Sequence, residues 1–142
     1  CFGYLKKNIT YNKVKNVIPI NRAIWNTQTE LTFHTSFAQA NSLIKEIQDW
    51  DGAYSVKTIT IDELVEEHDL DSVSMLSLTL NGAEIEALEG ATETISRFKP
   101  RIRLAGWYKR DGELICDLTK KQLEKHGYKV IIGPRNGVCA IG

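Results

Sequence analysis

The sequence predicts an α/β domain: a mainly parallel sheet with helices on its faces, finishing in an antiparallel hairpin. Three observations point there. Apolar or β-branched runs recur at Val56–Ile61, Val73–Leu80, Ile102–Trp107 and Tyr128–Ile132. Helix-period segments, Ala83–Phe98 and Glu113–His126, separate them, and such alternation favours crossover connections between parallel strands. Finally, Gly133-Pro134-Arg135-Asn136-Gly137 has turn composition and leads straight into a last apolar run, Val138–Ile141.

The elements follow in chain order. Leu5 and Ile9 keep a four-residue spacing with polar residues between them, so the chain opens inside an amphipathic helix. That helix has no capping residue before it and begins at Cys1, which leads us to expect a single partial domain, the carboxy-terminal part of a longer chain. Asn16 to Trp25 reads as extended, with Pro19 placing it at a sheet edge or strand start. Leu31–His34 alternates as a short strand. Ser36 to Gly52 is ambiguous: Leu43, Ile44 and Ile47 fit one helical turn or two, before an Asp51-Gly52 turn.

Val56–Ile61 alternates as a strand, and Asp62 is the expected N-cap of a short helix over Glu63–Glu67. Val73–Leu80 carries no charge on either face and reads as a central strand, ended by Asn81-Gly82. Leu88, Ala91, Ile95 and Phe98 share one stripe of the next helix, which Pro100 stops. Gly90 inside that helix reads as close helix–sheet packing. Lys109–Gly112 is a polar turn, and Gly127 closes the last helix.

Composition narrows the function. The 142 residues are 42% hydrophobic and 25% charged, with 10 Gly and 3 Pro, which excludes disorder and collagen-like repeats. Eighteen cations balance eighteen acids, which argues against a nucleic-acid partner. No apolar run is long enough to cross a membrane. Cys1, Cys116 and Cys139 are odd in number and lack metal spacing, so reduced thiols, a cytoplasmic location and no metal are expected. No Walker loop, GxGxxG or GxSxG is present.

Ligands of open parallel sheets bind beyond the carboxyl ends of the strands. Two such ends stand out. At Thr79–Glu84, Gly82 permits close approach, while Asn81 and Glu84 have the spacing of a capping box; capping and ligand contact are compatible there. At Gly106–Arg110, Trp107 and Tyr108 beside two cations suit a pocket wall, unless Trp107 is core and the cations a solvated turn.

Ser55–Leu64, Ser72–Leu80 and Asn81-Gly82-Ala83-Glu84-Ile85-Glu86-Ala87-Leu88-Glu89-Gly90-Ala91 together resemble the carboxy-terminal region of FkbM-type methyltransferases. Phe98–Arg101, Ala105-Gly106-Trp107, Gly127–Val130 and the opening Tyr4–Ile9 agree with that family. The resemblance implies a Rossmann-like sheet lacking its N-terminal strands. It also implies S-adenosylmethionine as cofactor and a small-molecule acceptor, a hydroxyl of a sugar or metabolite. On it, Glu84 is the candidate catalytic base, Thr79 and Asn81 candidate cofactor contacts, and Gly82, Trp107 and Tyr108 candidate substrate contacts.

Two departures follow. The family's cofactor loop and ribose-binding acid would lie before Cys1. Its acids and lysine around the central strand end are here Ser74, Ser77, Thr79 and Asn81, and neither Thr79 nor Asn81 is a base near neutral pH. The chain alone is therefore expected to be inactive, and a non-catalytic binding or assembly module is the alternative. With neighbouring strands absent, the free edge of Val73–Leu80 predicts a homo-oligomer or strand-swapped assembly.

Overall fold

The computed structural model describes residues 2–36, 41–45 and 51–142. The opening helix, α1 (Phe2–Tyr11), buries no residue, and Tyr4, Leu5 and Tyr11 are exposed. Cys1 lies outside the described residues. Of the extended Asn16–Trp25 stretch, only Ala23–Ile24 (β1) enters a sheet, since Pro19 lacks an N–H to give a ladder. Glu30–Thr35 (β2) and Gly52–Ile59 (β3) complete a three-stranded sheet, with β3 central. β3 therefore begins four residues before the predicted Val56, because β2 carries the ladder back to Thr35 opposite Gly52. Ser42 bridges His34, and Ile44 is buried; Ile47, of the predicted helical turns, lies outside the described residues.

The strand also stops at Ile59, so Ile61 opens α2 (Ile61–Glu67). Its N-cap is Thr60, not the predicted Asp62. Thr60 and Glu63 satisfy each other's backbone amides at 2.9 Å in both directions, a full capping box. The Asp62 carboxylate serves another helix: it accepts from the Glu93 and Thr94 amides and the Thr94 hydroxyl.

That second helix exists because the predicted single helix over Ala83–Phe98 is broken. α3 (Glu84–Glu89) and α4 (Thr92–Phe98) meet at Gly90-Ala91. A Cβ on Gly90 would sit 2.5 Å from the Trp25 carbonyl oxygen and 3.1 Å from Thr60 Cβ, so the close packing read from this glycine is present. The Gly90 carbonyl accepts from the Asp62 amide at 2.9 Å instead of continuing the helix.

The remaining strands are β4 (Met75–Leu78), β5 (Arg101–Leu104), the hairpin pair β6 (Lys109–Arg110) and β7 (Glu113–Leu114), β8 (Lys129–Ile132) and β9 (Val138–Ile141). Between β7 and β8 runs α5 (Ile115–Lys125), ended by Gly127 at φ +80° as its position requires. The predicted polar turn is a tight hairpin: Asp111 and Gly112 both have positive φ, the backbone that lets two-residue turns match strand twist.

The sheet is mixed: β4, β5 and β8 run in one direction and only β9 opposes them, in the antiparallel hairpin expected at the end of the sequence. β4 and β5 run parallel, but β9 lies antiparallel between β5 and β8 in the order β4-β5-β9-β8. The short Gly133–Gly137 turn forces β8 and β9 to fold back on each other, and inserting β9 creates two antiparallel ladders at once. β4 is an edge strand among the described residues, not a central one.

Among the described residues, helices cover one face of this sheet: inward residues Leu78, Ile102, Leu104, Val138 and Ala140 pack with Leu88, Ile95, Cys116 and Leu123 of α3, α4 and α5 in the core. On the opposite face Ser77, Arg103, Cys139 and Ile131 stand side by side, and all are exposed.

Candidate functional site

The parallel pair β4 and β5 ends in two adjacent loops. The first, Thr79–Ala83, turns sharply: Asn81 has φ 52° and Gly82 φ 106°. A left-handed Asn is tolerated because its side chain can bond locally, and Gly82 needs no Cβ there. Glu84, at the start of α3, is 0% exposed. Its carboxylate accepts from the Leu80 and Gly82 amides, both at 2.8 Å. Burial pushes its carboxyl above the ordinary carboxylate range, and the backbone amides of Leu80, Gly82 and Asn81 pull against that shift. Glu84 thus holds its own loop closed.

The expected Asn81–Glu84 capping box is replaced by these bonds. Ala83, with no side-chain cap, precedes α3, and the Asn81 side chain donates to the Asn41 carbonyl at 2.9 Å. The Ser42 hydroxyl donates to the Asn81 carbonyl at 2.7 Å and accepts from the Ile44 amide. The segment around Asn41 and Ser42 is therefore a third wall of this strand end. Nothing local in the sequence pairs residues forty positions apart. Thr79 is exposed, and Gly82 is buried.

The second loop, Ala105–Tyr108, follows β5. Gly106 is packed so closely that a Cβ would meet Cys116 Cβ at 2.6 Å and the Asn136 carbonyl oxygen at 2.7 Å. The Cys116 amide donates to the Gly106 carbonyl at 3.1 Å, tying α5 to the strand end. Trp107 is 47% exposed, with its ring 6.1 Å from that of Tyr108, so the reading of Trp107 as core fails. The reading of both cations as a solvated turn fails too. Arg110 is half-buried and pairs with Glu86 at 2.5 Å, and its Nη1 also reaches the Gly82 carbonyl at 3.5 Å.

That one guanidinium joins the two strand ends. Glu86, 8% exposed on α3, was not singled out by its sequence pattern, although its place on the helix that follows Gly82 is a signal. Gly82 is linked through Arg110 to the hairpin that follows Trp107 and Tyr108, whose rings lie 6.1 Å apart. His34, His68 and His126 are not gathered, and among the described residues no group of His, Cys, Asp or Glu is placed to hold a metal. A groove of about 620 Å³ lies elsewhere, between α2 and α4, lined by Asp62, Glu63, Glu66, Asp69, Asp71 and Glu93 among others. It shares no residue with the strand-end loops.

Comparison with known proteins gives one match. The family model of the methyltransferase FkbM domain matches residues 4–130. No curated protein and no solved structure matches the chain.

Proposed function

Because the chain belongs to the FkbM methyltransferase domain family, we propose that it forms part of an S-adenosylmethionine-dependent enzyme that methylates a hydroxyl of a sugar or small metabolite. The family match carries this reading. The geometry supports it with a rim at the carboxyl ends of two parallel strands, where α/β sheets bind ligands. On this reading the sheet is the carboxy-terminal half of a Rossmann-like one. Trp107 and Tyr108, two rings tilted by 45°, give the acceptor an aromatic wall.

The residues present fit only part of the cofactor. Thr79 offers a hydroxyl and Trp107 a ring face, but both oxygens of Glu84 are taken by backbone amides. The Asn81 amide group is given to Asn41. Glu86 pairs with Arg110 through one carboxylate oxygen, and its buried second oxygen has no partner among the described residues. We assign Glu84 to shaping the loop, and Asn81 to anchoring the Asn41–Ser42 wall. Methyl transfer depends mainly on positioning, so a base is a smaller requirement than an intact cofactor cleft.

The test is tritium transfer from labelled S-adenosylmethionine to a panel of sugars and hydroxylated metabolites, for the gene's full reading frame and for this chain. Transfer by the former and none by the latter is expected. If the full frame neither binds nor transfers, the second reading holds, a non-catalytic binding or assembly module. The observation favouring it is specific: Ser74, Ser77, Thr79 and Asn81 occupy the family's acidic and lysine positions. The free outer edge of β4 suits a homo-oligomer under either reading.

A further inference from the structure

Two arginines of this chain meet a glutamate in different ways. Arg22 lies fork to fork against Glu67, with Nη1 on one carboxylate oxygen at 2.7 Å and Nη2 on the other at 3.1 Å. Both groups use their paired atoms fully. Arg110 meets Glu86 end-on. Only Nη1 reaches the carboxylate, at 2.5 Å from Oε1, and the same Nη1 lies 3.5 Å from the Gly82 carbonyl. Among the described residues, neither Nη2 nor Nε of Arg110 makes a bond, and the buried Oε2 of Glu86 has no partner. A guanidinium carries five donors, so the edge made by Nε and Nη2, two parallel N–H groups, is left over. Glu113, directly across the hairpin, does not take it, since its carboxylate is held by Lys121 at 2.7 Å.

We propose that this edge receives an anionic group of the acceptor, a carboxylate or a phosphate carried on the sugar or metabolite, and that Arg110 thereby selects anionic acceptors. Three observations carry it. The side chain is 26% exposed, so it is reachable yet partly dehydrated, where charge-assisted hydrogen bonds gain strength. It is also held in place before any ligand arrives: β6 fixes its backbone, and Glu86 and the Gly82 carbonyl hold Nη1, so little order has to be imposed on binding. Finally, the adjoining strand end does not repel an anion. Thr79 and Asn81 are uncharged, and both oxygens of the buried Glu84 face backbone amides. Lys109 is exposed and makes no ion pair among the described residues, whereas Asp111 at the turn is exposed to water, which screens it. The identity of the reaction rests on the reading above; the binding of the anion does not.

The test has two parts. This chain is titrated with glucuronate, glucose 6-phosphate and glucose, and the Arg110 Nε–H and Gly82 amide signals are followed by NMR. Saturable shifts with one or both anions and none with glucose are expected, and the anion that saturates first identifies the group. In Arg110→Lys, which keeps a cation for Glu86 but has no fork, the Gly82 amide should report an affinity about tenfold lower or less. In the gene's full reading frame, kcat/KM for an anionic acceptor should exceed that for its neutral parent about tenfold or more. That ratio should fall toward one in Arg110→Lys, mainly through KM. No saturable shift with either anion, an equal response to glucose, or a preference untouched by Arg110→Lys would overturn the proposal. Transfer to neutral sugars with no anionic preference overturns it while leaving the methyltransferase reading intact. If the full frame transfers no methyl group at all, that reading falls instead, and the titration of this chain decides whether Arg110 binds the anion. The titration of the natural chain decides likewise if Arg110→Lys fails to fold.

Discussion

The two strand-end loops both carry a glycine but close in opposite ways. After β4, the polar groups turn inward: Glu84 takes the Leu80 and Gly82 amides, and Asn81 is tied to Asn41 and Ser42. After β5, the backbone is locked by packing around Gly106, while the side chains of Trp107 and Tyr108 stay available. One loop uses its functional groups to hold its shape. The other holds its shape without them and leaves Trp107 half-exposed at the surface. A polar side chain at a strand end is thus a candidate contact only if the loop has other means of closing.

The largest expected effect tests the packing half of that contrast. Gly106→Ala puts a methyl 2.6 Å from Cys116 Cβ and 2.7 Å from two backbone atoms, which cannot move aside as a side-chain tip can. Stability should fall by about 3 kcal/mol or more, the upper range for overpacking, read as a large drop in melting temperature. A near-normal melting temperature would mean that the β5 loop is not held by close approach.

Next comes Glu84→Gln. The amide can accept from only one of the two backbone donors, leaving a buried N–H unpaired at a cost of about 2 kcal/mol. The pH dependence sharpens the point. Folding raises the Glu84 carboxyl above its ordinary value, so the unfolded chain loses that proton first. The group's stabilising contribution is complete below the ordinary carboxylate range and declines as pH rises through the raised value. Urea melts over that window should show this slope in the natural chain and its loss in Glu84→Gln.

Arg110→Ala is expected to cost about 1–2 kcal/mol, because it strands the mostly buried Glu86 carboxylate. It should also loosen the β6–β7 hairpin, seen as faster hydrogen exchange at the Ile115 amide that bonds Tyr108. Removing Lys120 from its exposed pair with Glu124 should change stability by no more than about 0.5 kcal/mol. Trp107→Ala, at a half-exposed position, should cost under about 1 kcal/mol. A loss as large as that of Gly106→Ala would place Trp107 in the core and erase the contrast between the loops.

Much of the fold is legible in the sequence, because local signals suffice for it. The helices after β3 and β7, the strands β4, β5, β8 and β9, and the Gly127 terminus follow from periodicity and turn chemistry. What is not legible depends on distant partners. Asp62 has the residue type and position of an N-cap, yet its carboxylate serves α4, thirty residues on, while Thr60 caps α2. The helix over Ala83–Phe98 has one continuous stripe and breaks where Gly90 packs on Trp25 and bonds the Asp62 amide. Asp111-Gly112 was a readable hairpin signal that the polar-turn reading passed over. At the site, Gly82, Trp107 and Tyr108 were readable as residues. Their joining through Arg110 and Glu86, and the wall from Asn41 and Ser42, are contacts of the folded chain alone.

The central claim is that the rim at β4 and β5 is an acceptor wall without a complete cofactor cleft. Titration calorimetry of this chain with S-adenosylhomocysteine tests it most directly. The account predicts no saturable heat up to millimolar ligand, with the chain folded throughout. Saturable micromolar binding, abolished by Asn81→Ala or Thr79→Val, would contradict it and show that these residues alone build a cofactor site.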